Sequence, residues 1–382
     1  MKRIIVLGAT GSVGTQALDV ARKENYAVTA ISANSDVDSV ERFAREFSVR
    51  ACALSDTDAA SRLKLRLADT QIKVYSGADG IVEMIKDVDF DTAVNSILGM
   101  AGLMPSYTVV ERGKRLALAN KESMVIAGEI LNALARKTGA EILPVDSEHC
   151  AIHQCLKCGE HVEVTRLILT ASGGPFFGRK REELESVTLA ETLAHPTWKM
   201  GAKITVDSAT LMNKGFEVIE ACRLFNVPAD KVEVVVHRQS IVHSMVEFCD
   251  NSVIAQLSIP DMRFCVQYAV NYPDRRQAVT ERMDFSRLMT LTFDAPDPEA
   301  FPLLSAAYDA VSAGGAVPCI LNAANEIAVA AFLRERVTYK DISEIVINTV
   351  NHFESEAKNA VSLDEIIGFD KLGREFAGSL IK

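Results

Sequence analysis

Along the first 150 residues, short apolar runs alternate with segments whose apolar positions recur at helical spacing. Ile4 to Leu7, Val28 to Ser32, Ala51 to Leu54, Thr92 to Asn95, Leu116 to Ala119 and Glu141 to Val145 read as buried strands. Thr15 to Lys23, Val37 to Phe47 and Gly102 to Arg112 read as the amphipathic helices between them. Strand–helix alternation of this kind predicts a parallel sheet covered on both faces. Past residue 150 the strand-like runs Val162 to Thr170, Lys231 to His237, Ser244 to Cys249 and Val253 to Ile259 alternate apolar with polar, as in a sheet packed on one face. A helix is expected at Thr210 to Leu224 among them. The stretch Asp284 to Pro302 has a linker's composition. Helix-patterned segments follow at Leu303 to Ala313, Ala316 to Glu335, Tyr339 to Glu354 and Leu363 to Ser379.

A chain of 382 residues is longer than one core usually grows, which suits two or three domains. The expected class is α/β: a Rossmann-like doubly wound parallel sheet over 1–148, an α+β domain over 149–290, a linker over 291–302, and a small helical domain over 303–382. The net charge of −10 argues against a nucleic-acid binder, so an anionic ligand would need a local basic pocket. The run Ile4 to Leu7 is too short for a signal-peptide core, and nothing approaches the roughly 18 to 20 apolar residues of a membrane helix. A soluble, cytoplasmic protein is expected, with its eight cysteines as reduced thiols. His149, Cys150, His153, Cys155, Cys158 and His161 crowd together, but their irregular spacing favours buried thiols on a helix over a zinc knuckle.

Six stretches carry candidate chemistry. Gly8-Ala9-Thr10-Gly11-Ser12-Val13-Gly14 follows the first strand and opens a helix, the setting in which backbone N–H groups cradle a pyrophosphate. At the end of the second strand, where the adenosine ribose is read, stand Asn34, Ser35 and Asp36 with no cation, which leaves NAD and NADP open. Asp146 and Glu148 end the last strand, where extended backbone would point both carboxylates to one side and suit a hard cation. Read as a helix, 206–217 sets Asn213 and Glu217 four apart, with Lys214 beside them, able to grip a phosphate and a metal. Thr170 to Pro175 is a small-residue loop able to wrap an anion, and His195 to Gly201, with Trp198, has the makings of a lid.

These motifs resemble the 1-deoxy-D-xylulose 5-phosphate reductoisomerase family. The resemblance rests on residues 8–14, 119–123, 143–149, 170–174, 195–201, 206–215, 259–263 and 321–326, in order along the chain. It implies that Thr10, Gly11, Ser12 and Val13 form the cofactor turn, with Asn34, Asn120, Glu122 and Gly201 also near NADPH. It implies Asp146, Glu148 and Glu217 as ligands of a divalent cation (Mg²⁺, Mn²⁺ or Co²⁺). Ser147, Ser172, His195, Ser208, Asn213 and Lys214 would bind the substrate, mostly at its phosphate, with Lys121 at the reacting end. His149 and His243 would lie near the site, and Trp198 and Met200 on the closing loop. The implied reaction is rearrangement of 1-deoxy-D-xylulose 5-phosphate and NADPH reduction to 2-C-methyl-D-erythritol 4-phosphate, in non-mevalonate isoprenoid synthesis, by a homodimer. The chain departs from the family at 33–36, where most relatives carry a basic residue. Two other readings are a different NAD(P)-dependent sugar-phosphate oxidoreductase, which would not need the three carboxylates, and a silent dinucleotide sensor, which would have lost them.

Overall fold

The strands of the first half are β1 (Arg3–Leu7), β2 (Ala27–Ala33), β3 (Ala51–Leu54), β4 (Lys73–Ser76), β5 (Thr92–Asn95), β6 (Arg115–Leu118) and β7 (Ile142–Pro144). In the computed structural model, which describes residues 1–196, 200–287 and 290–381, they form one sheet of order β4-β3-β2-β1-β5-β6-β7. Every pairing in it is parallel. β3 and β5 are buried at every position, as the unbroken apolar runs require when helices cover both faces. The order reverses between β1 and β5, and that switch point is where open α/β sheets bind ligands.

The helices of this half are α1 (Ser12–Glu24), α2 (Val37–Glu46), α3 (Thr57–Arg66), α4 (Gly77–Asp87), α5 (Leu103–Glu111) and α6 (Lys121–Thr138). Next come α7 (Ser147–Cys155), α8 (Leu189–Thr192), α9 (Ala202–Ala209), α10 (Met212–Phe225) and α11 (Met262–Asn271). The last four are α12 (Pro302–Ala313), α13 (Val317–Phe332), α14 (Tyr339–Ala357) and α15 (Leu363–Ser379). Local chemistry sets many of the starts. The side chains of Asp36, Asp56 and Asn120 accept from backbone N–H groups of the first turns of α2, α3 and α6. Thr338 with Asp341 and Ser362 with Glu365 form capping boxes on α14 and α15.

By contacts the chain divides into two units. The first holds Met1–Ser123, Leu131–Cys150 and Asp261–Glu281. Its last segment is far away in sequence yet tightly sewn in. Val266, Tyr268 and Val270 of α11 join the core of Ile4, Val6, Leu18 and Ile31. Lys2 Nζ donates to the Val270 carbonyl at 2.7 Å, and Tyr26 Oη to Asn271 Oδ1 at 2.6 Å. The second unit holds Met124–Ile130, Ala151–Pro260 and Arg282–Lys382. Its sheet of β8 (Val164–Ala171), β9 (Val232–Val236), β10 (Val242–Phe248) and β11 (Val253–Leu257) runs in the order β11-β10-β8-β9. β8 and β9 are parallel and the other pairs antiparallel. β9 alternates buried positions with an exposed Glu233 and a half-buried Val235, as expected of a sheet packed on one face. α10 packs on α12 at Gly215, where an added Cβ would stand 2.7 Å from that of Ala307, and α13 packs on α14 and α15.

Two geometric expectations are corrected. The helix read through 206–217 is broken: α9 ends at Ala209 and α10 starts at Met212, with Leu211 between them at φ 57°. Asp146 and Glu148 do not lie on extended backbone. α7 starts at Ser147, so Asp146 stands just before the helix and Glu148 in its first turn.

Candidate active site

In the first unit the chain leaves β1 through Gly8 at φ 82°, where a Cβ would stand 2.8 Å from the Ser96 carbonyl. Gly14 lies so close beneath the turn that a Cβ would come within 2.1 Å of the Gly8 carbonyl oxygen. These approaches press the start of α1 against β1 at the sheet's switch point. Gly11 precedes α1 and caps it with no side chain, so the first N–H groups, beginning at Ser12, remain available to an anion. Thr10 and Val13 are half-buried, and Gly11 and Ser12 exposed. Beyond β2, Asn34 Oδ1 accepts from the Ser55 hydroxyl at 2.7 Å, while Asp36 Oδ1 accepts from Ser39 N at 3.0 Å.

Asn120 is buried, and its amide donates to the carbonyls of Ile97 at 2.7 Å and Gly99 at 3.0 Å and to Glu122 Oε2 at 3.0 Å. It thereby holds the loop after β5, as does Asn95, which donates to the Gly102 carbonyl at 2.9 Å. Motif reading missed Asn95 and Ser96, because a buried Asn and a Ser contacted through its backbone leave no pattern. Glu122 is buried beside Asn120.

At the end of β7, Lys121 Nζ stands 2.8 Å from Asp146 Oδ2, and His149 Nδ1 stands 2.9 Å from Asp146 Oδ1. Burial would raise the Asp146 carboxyl, but the Lys121 ammonium and His149 together hold it well below the usual carboxylate range. The group is therefore an anion at neutral pH. The Ser147 hydroxyl donates to Glu148 Oε2 at 2.6 Å. This half of the chain thus offers hard oxygen donors backed by a cation.

In the second unit, β8 runs into Ser172, Gly173 and Gly174, with φ of 78° at Gly173 and 63° at Gly174. A Cβ on Gly174 would stand 2.7 Å from the Ser208 carbonyl oxygen, so the loop lies directly on α9. Ser172 Oγ and His195 Nε2 are 3.0 Å apart, and burial lowers the His195 pKa, which keeps its imidazole neutral. On α10, Asn213 Nδ2 donates to Glu217 Oε1 at 2.6 Å, and Lys214 Nζ pairs with Glu217 Oε2 and donates to the Thr170 carbonyl. Lys214 and Glu217 are 4% and 2% exposed, so this is a buried ion pair. Ser208 and Asn213 are half-buried. Gly201 is the residue before α9, His243 is buried on β10, and Met200 borders 197–199, so the Trp198 lid expectation lies outside the described residues. In the cysteine cluster, Cys150 and Cys155 are buried, Cys158 is exposed, and His161 Nε2 meets the Phe225 carbonyl at 2.7 Å.

An uncapped glycine turn at the switch point of a parallel sheet is the build of a Rossmann-like dinucleotide-binding protein, joined here to a second, mixed sheet with its own helices. A family model described as 1-deoxy-D-xylulose 5-phosphate reductoisomerase matches residues 4–128, and two described as C-terminal domains of that enzyme match 142–225 and 257–376. The chain is 48% identical over 378 residues to the enzyme of that name from Thermoanaerobacter pseudethanolicus, covering 98% of each. It is 48% identical over 382 residues to that of Acetivibrio thermocellus, covering 100% of each. The enzyme from Zymomonas mobilis in complex with NADPH superposes with a TM-score of 0.93 at 40% identity, covering 100% of this chain and 99% of that one. A reductoisomerase in complex with NADPH, fosmidomycin and magnesium gives 0.94 at 37% identity, covering 100% and 98%. The chain belongs to the 1-deoxy-D-xylulose 5-phosphate reductoisomerase family.

Proposed function

We propose that this chain converts 1-deoxy-D-xylulose 5-phosphate to 2-C-methyl-D-erythritol 4-phosphate with NADPH and a divalent cation, a step of non-mevalonate isoprenoid synthesis. What carries the reading is the end-to-end likeness at 48% identity. Asp146, Glu148 and Glu217 are the residues to hold the cation. They fit it, being an all-oxygen set, with Asp146 already an anion in a buried setting. The turn at Thr10 to Val13 fits a dinucleotide pyrophosphate because its amides are uncapped. When bound, the cation stabilises negative charge on the substrate's oxygens and NADPH supplies the hydride.

The protein's own side chains do the rest. Ser172, His195, Ser208, Asn213 and Lys214 bind the substrate phosphate, Lys214 through Nζ and His195 as a neutral donor. Ser147 turns Glu148 through its hydroxyl, and His149 orients Asp146. Lys121, held by Asp146, is placed to orient the reacting end and to carry a proton on Nζ. Asn34, Asn120, Glu122 and Gly201 flank the cofactor in this reading, Asn120 by shaping the loop after β5. Among the described residues no helix is long and apolar enough to cross a membrane. A cytoplasmic homodimer is the assembly proposed; support comes from β11, an edge strand left half-exposed along most of its length.

The experiment is NADPH consumption with 1-deoxy-D-xylulose 5-phosphate after chelation, then with Mg²⁺ or Mn²⁺ restored, and with NADH in parallel. Metal-dependent turnover is the expected result. Folded protein that consumes neither cofactor with either metal would refute it.

A further inference from the structure

The motif Leu321 to Glu326 belongs to α13, and nothing in the reaction accounts for it. Within the second unit it reaches the corner between α9 and α10. Asp207 on α9 is 1% exposed, and a carboxylate so buried needs partners. Its Oδ1 accepts from Asn325 Nδ2 at 2.7 Å and its Oδ2 pairs with Lys203 Nζ at 2.9 Å. Lys203 lies one turn earlier on the same helix, so that pair ties α9 only to itself. The Asn325 bond ties it to α13.

Two residues on, α9 ends, with the Val206 carbonyl accepting from Thr210 N at 3.0 Å and the Ser208 carbonyl from Leu211 N at 3.3 Å. The Ala209 carbonyl accepts from the Tyr339 hydroxyl, at the start of α14, at 2.8 Å. The Tyr339 ring also meets Phe176 edge-on at 5.2 Å between centroids. Phe176 is 1% exposed and stands two residues beyond Gly174, the glycine laid against the Ser208 carbonyl. Tyr339 therefore braces both walls around Ser208: the end of α9 and the loop after β8. The residues on either side of Ser208 are each held by one buried side chain of the C-terminal helices.

We propose that Asn325 and Tyr339 are positioning residues for the phosphate subsite, which set the place of Ser208 at the α9–α10 corner by holding Asp207 and the Ala209 carbonyl. The inference rests on the reading of Ser208 as a phosphate ligand. A burial role alone would predict a general loss of stability. Positioning predicts a loss directed at the phosphate, since small displacements of binding groups weaken binding steeply.

The test uses the full-length enzyme and compares Tyr339→Phe, Asn325→Leu and Ser208→Ala with the parent. Four quantities are measured: KM for the substrate, Ki of inorganic phosphate as competitor, NADPH affinity by fluorescence, and the thermal midpoint. Tyr339→Phe removes one oxygen and keeps the ring, so it decides the matter if Asn325→Leu folds poorly. The expected result is a rise of about 3- to 10-fold in phosphate Ki and KM for Tyr339→Phe, from loss of one hydrogen bond of about 1 kcal/mol. NADPH affinity stays within twofold. The exchange Asp207→Asn with Asn325→Asp restores one hydrogen bond and recovers phosphate Ki toward the parent from either single change. Unchanged phosphate Ki in Tyr339→Phe and Asn325→Leu, while Ser208→Ala raises it, overturns this inference alone. Unchanged Ki in Ser208→Ala overturns the reading of Ser208, and this inference with it. Equal weakening of NADPH and phosphate, with no recovery in the exchange, shows a merely structural role and also overturns it.

Discussion

Replacing Gly174 by alanine tests the close approach of the loop after β8 to α9. Two separate costs arise. The residue sits at φ 63°, in the left-handed region, where a side chain costs roughly 1–2 kcal/mol. The new methyl would also lie 2.7 Å from the Ser208 carbonyl oxygen and 3.2 Å from Ala209 Cα. Neither neighbour is a flexible side-chain end, so backbone must move, at about 1–3 kcal/mol for overpacking. The sum is about 2–5 kcal/mol for Gly174→Ala.

Gly178 provides the control, because it has φ 85° and nothing within 4 Å of an added Cβ. Gly178→Ala should lose only the backbone component, about 1–2 kcal/mol. The gap between the two variants, about 1–3 kcal/mol, isolates the contact with Ser208. Denaturant midpoints measure it. Since the displaced backbone carries Ser208, kcat/KM should also fall about 10- to 100-fold in Gly174→Ala and stay near the parent in Gly178→Ala. Two variants alike in both stability and kcat/KM would show that the loop does not need its closeness to α9.

Three further outcomes are expected. Asp36→Ser keeps the cap on α2, since serine caps as well as aspartate, but removes a negative charge from the end of β2. NADPH Kd should tighten a few-fold with NADH unchanged, and an equal effect on both would disconnect Asp36 from the 2′-phosphate. Lys121→Met leaves the Asp146 carboxylate without its ammonium and should destabilise the metal-free protein by about 3 kcal/mol, read by calorimetry; no loss would mean that His149 suffices. His153 has its pKa lowered by burial from 6.5 to about 4. Between those values the unfolded chain takes up a proton that the folded chain refuses, so stability is full above pH 6.5 and declines as pH falls toward 4. The full shift corresponds to about 3 kcal/mol, and partial exposure discounts it to about 1–2. His153→Gln should flatten the dependence of the midpoint over this window, and an unchanged slope would assign it to other groups.

Much of the fold was legible because it depends on local periodicity. The strands at Ile4 to Leu7, Ala51 to Leu54 and Thr92 to Asn95 are buried on both faces, so their apolar runs are unbroken. β4 was not legible: only Tyr75 is fully buried, and Lys73 and Ser76 face solvent at the sheet's edge. The return of 261–281 to the first unit leaves no local trace, since its partners, such as Tyr26 for Asn271, lie 245 positions away. Of the site, the spacing of Asn213, Lys214 and Glu217 foretold their hydrogen bonds, because a helix brings residues three and four apart together. Lys121 with Asp146 was not deducible from spacing, because α6 and β7 separate them.

The broken helix at 206–217 shows what periodicity leaves out. A leucine at φ 57° is uncommon, and no residue pattern announces it. Had the helix run straight, Ser208 would precede Asn213 by five positions and face a different side from Lys214. The left-handed turn at Leu211 instead starts a new helix, so Ser208 and the group Asn213, Lys214, Glu217 belong to separate elements that meet at a corner. Such a corner costs about 1–2 kcal/mol in backbone terms and needs outside support to persist. That support is visible in three places: Gly174 against the Ser208 carbonyl, Asn325 on Asp207, and Tyr339 on the Ala209 carbonyl. The C-terminal helices thus do more than cover a core. Through Asn325 and Tyr339 they hold the joint between Ser208 and the group Asn213, Lys214, Glu217.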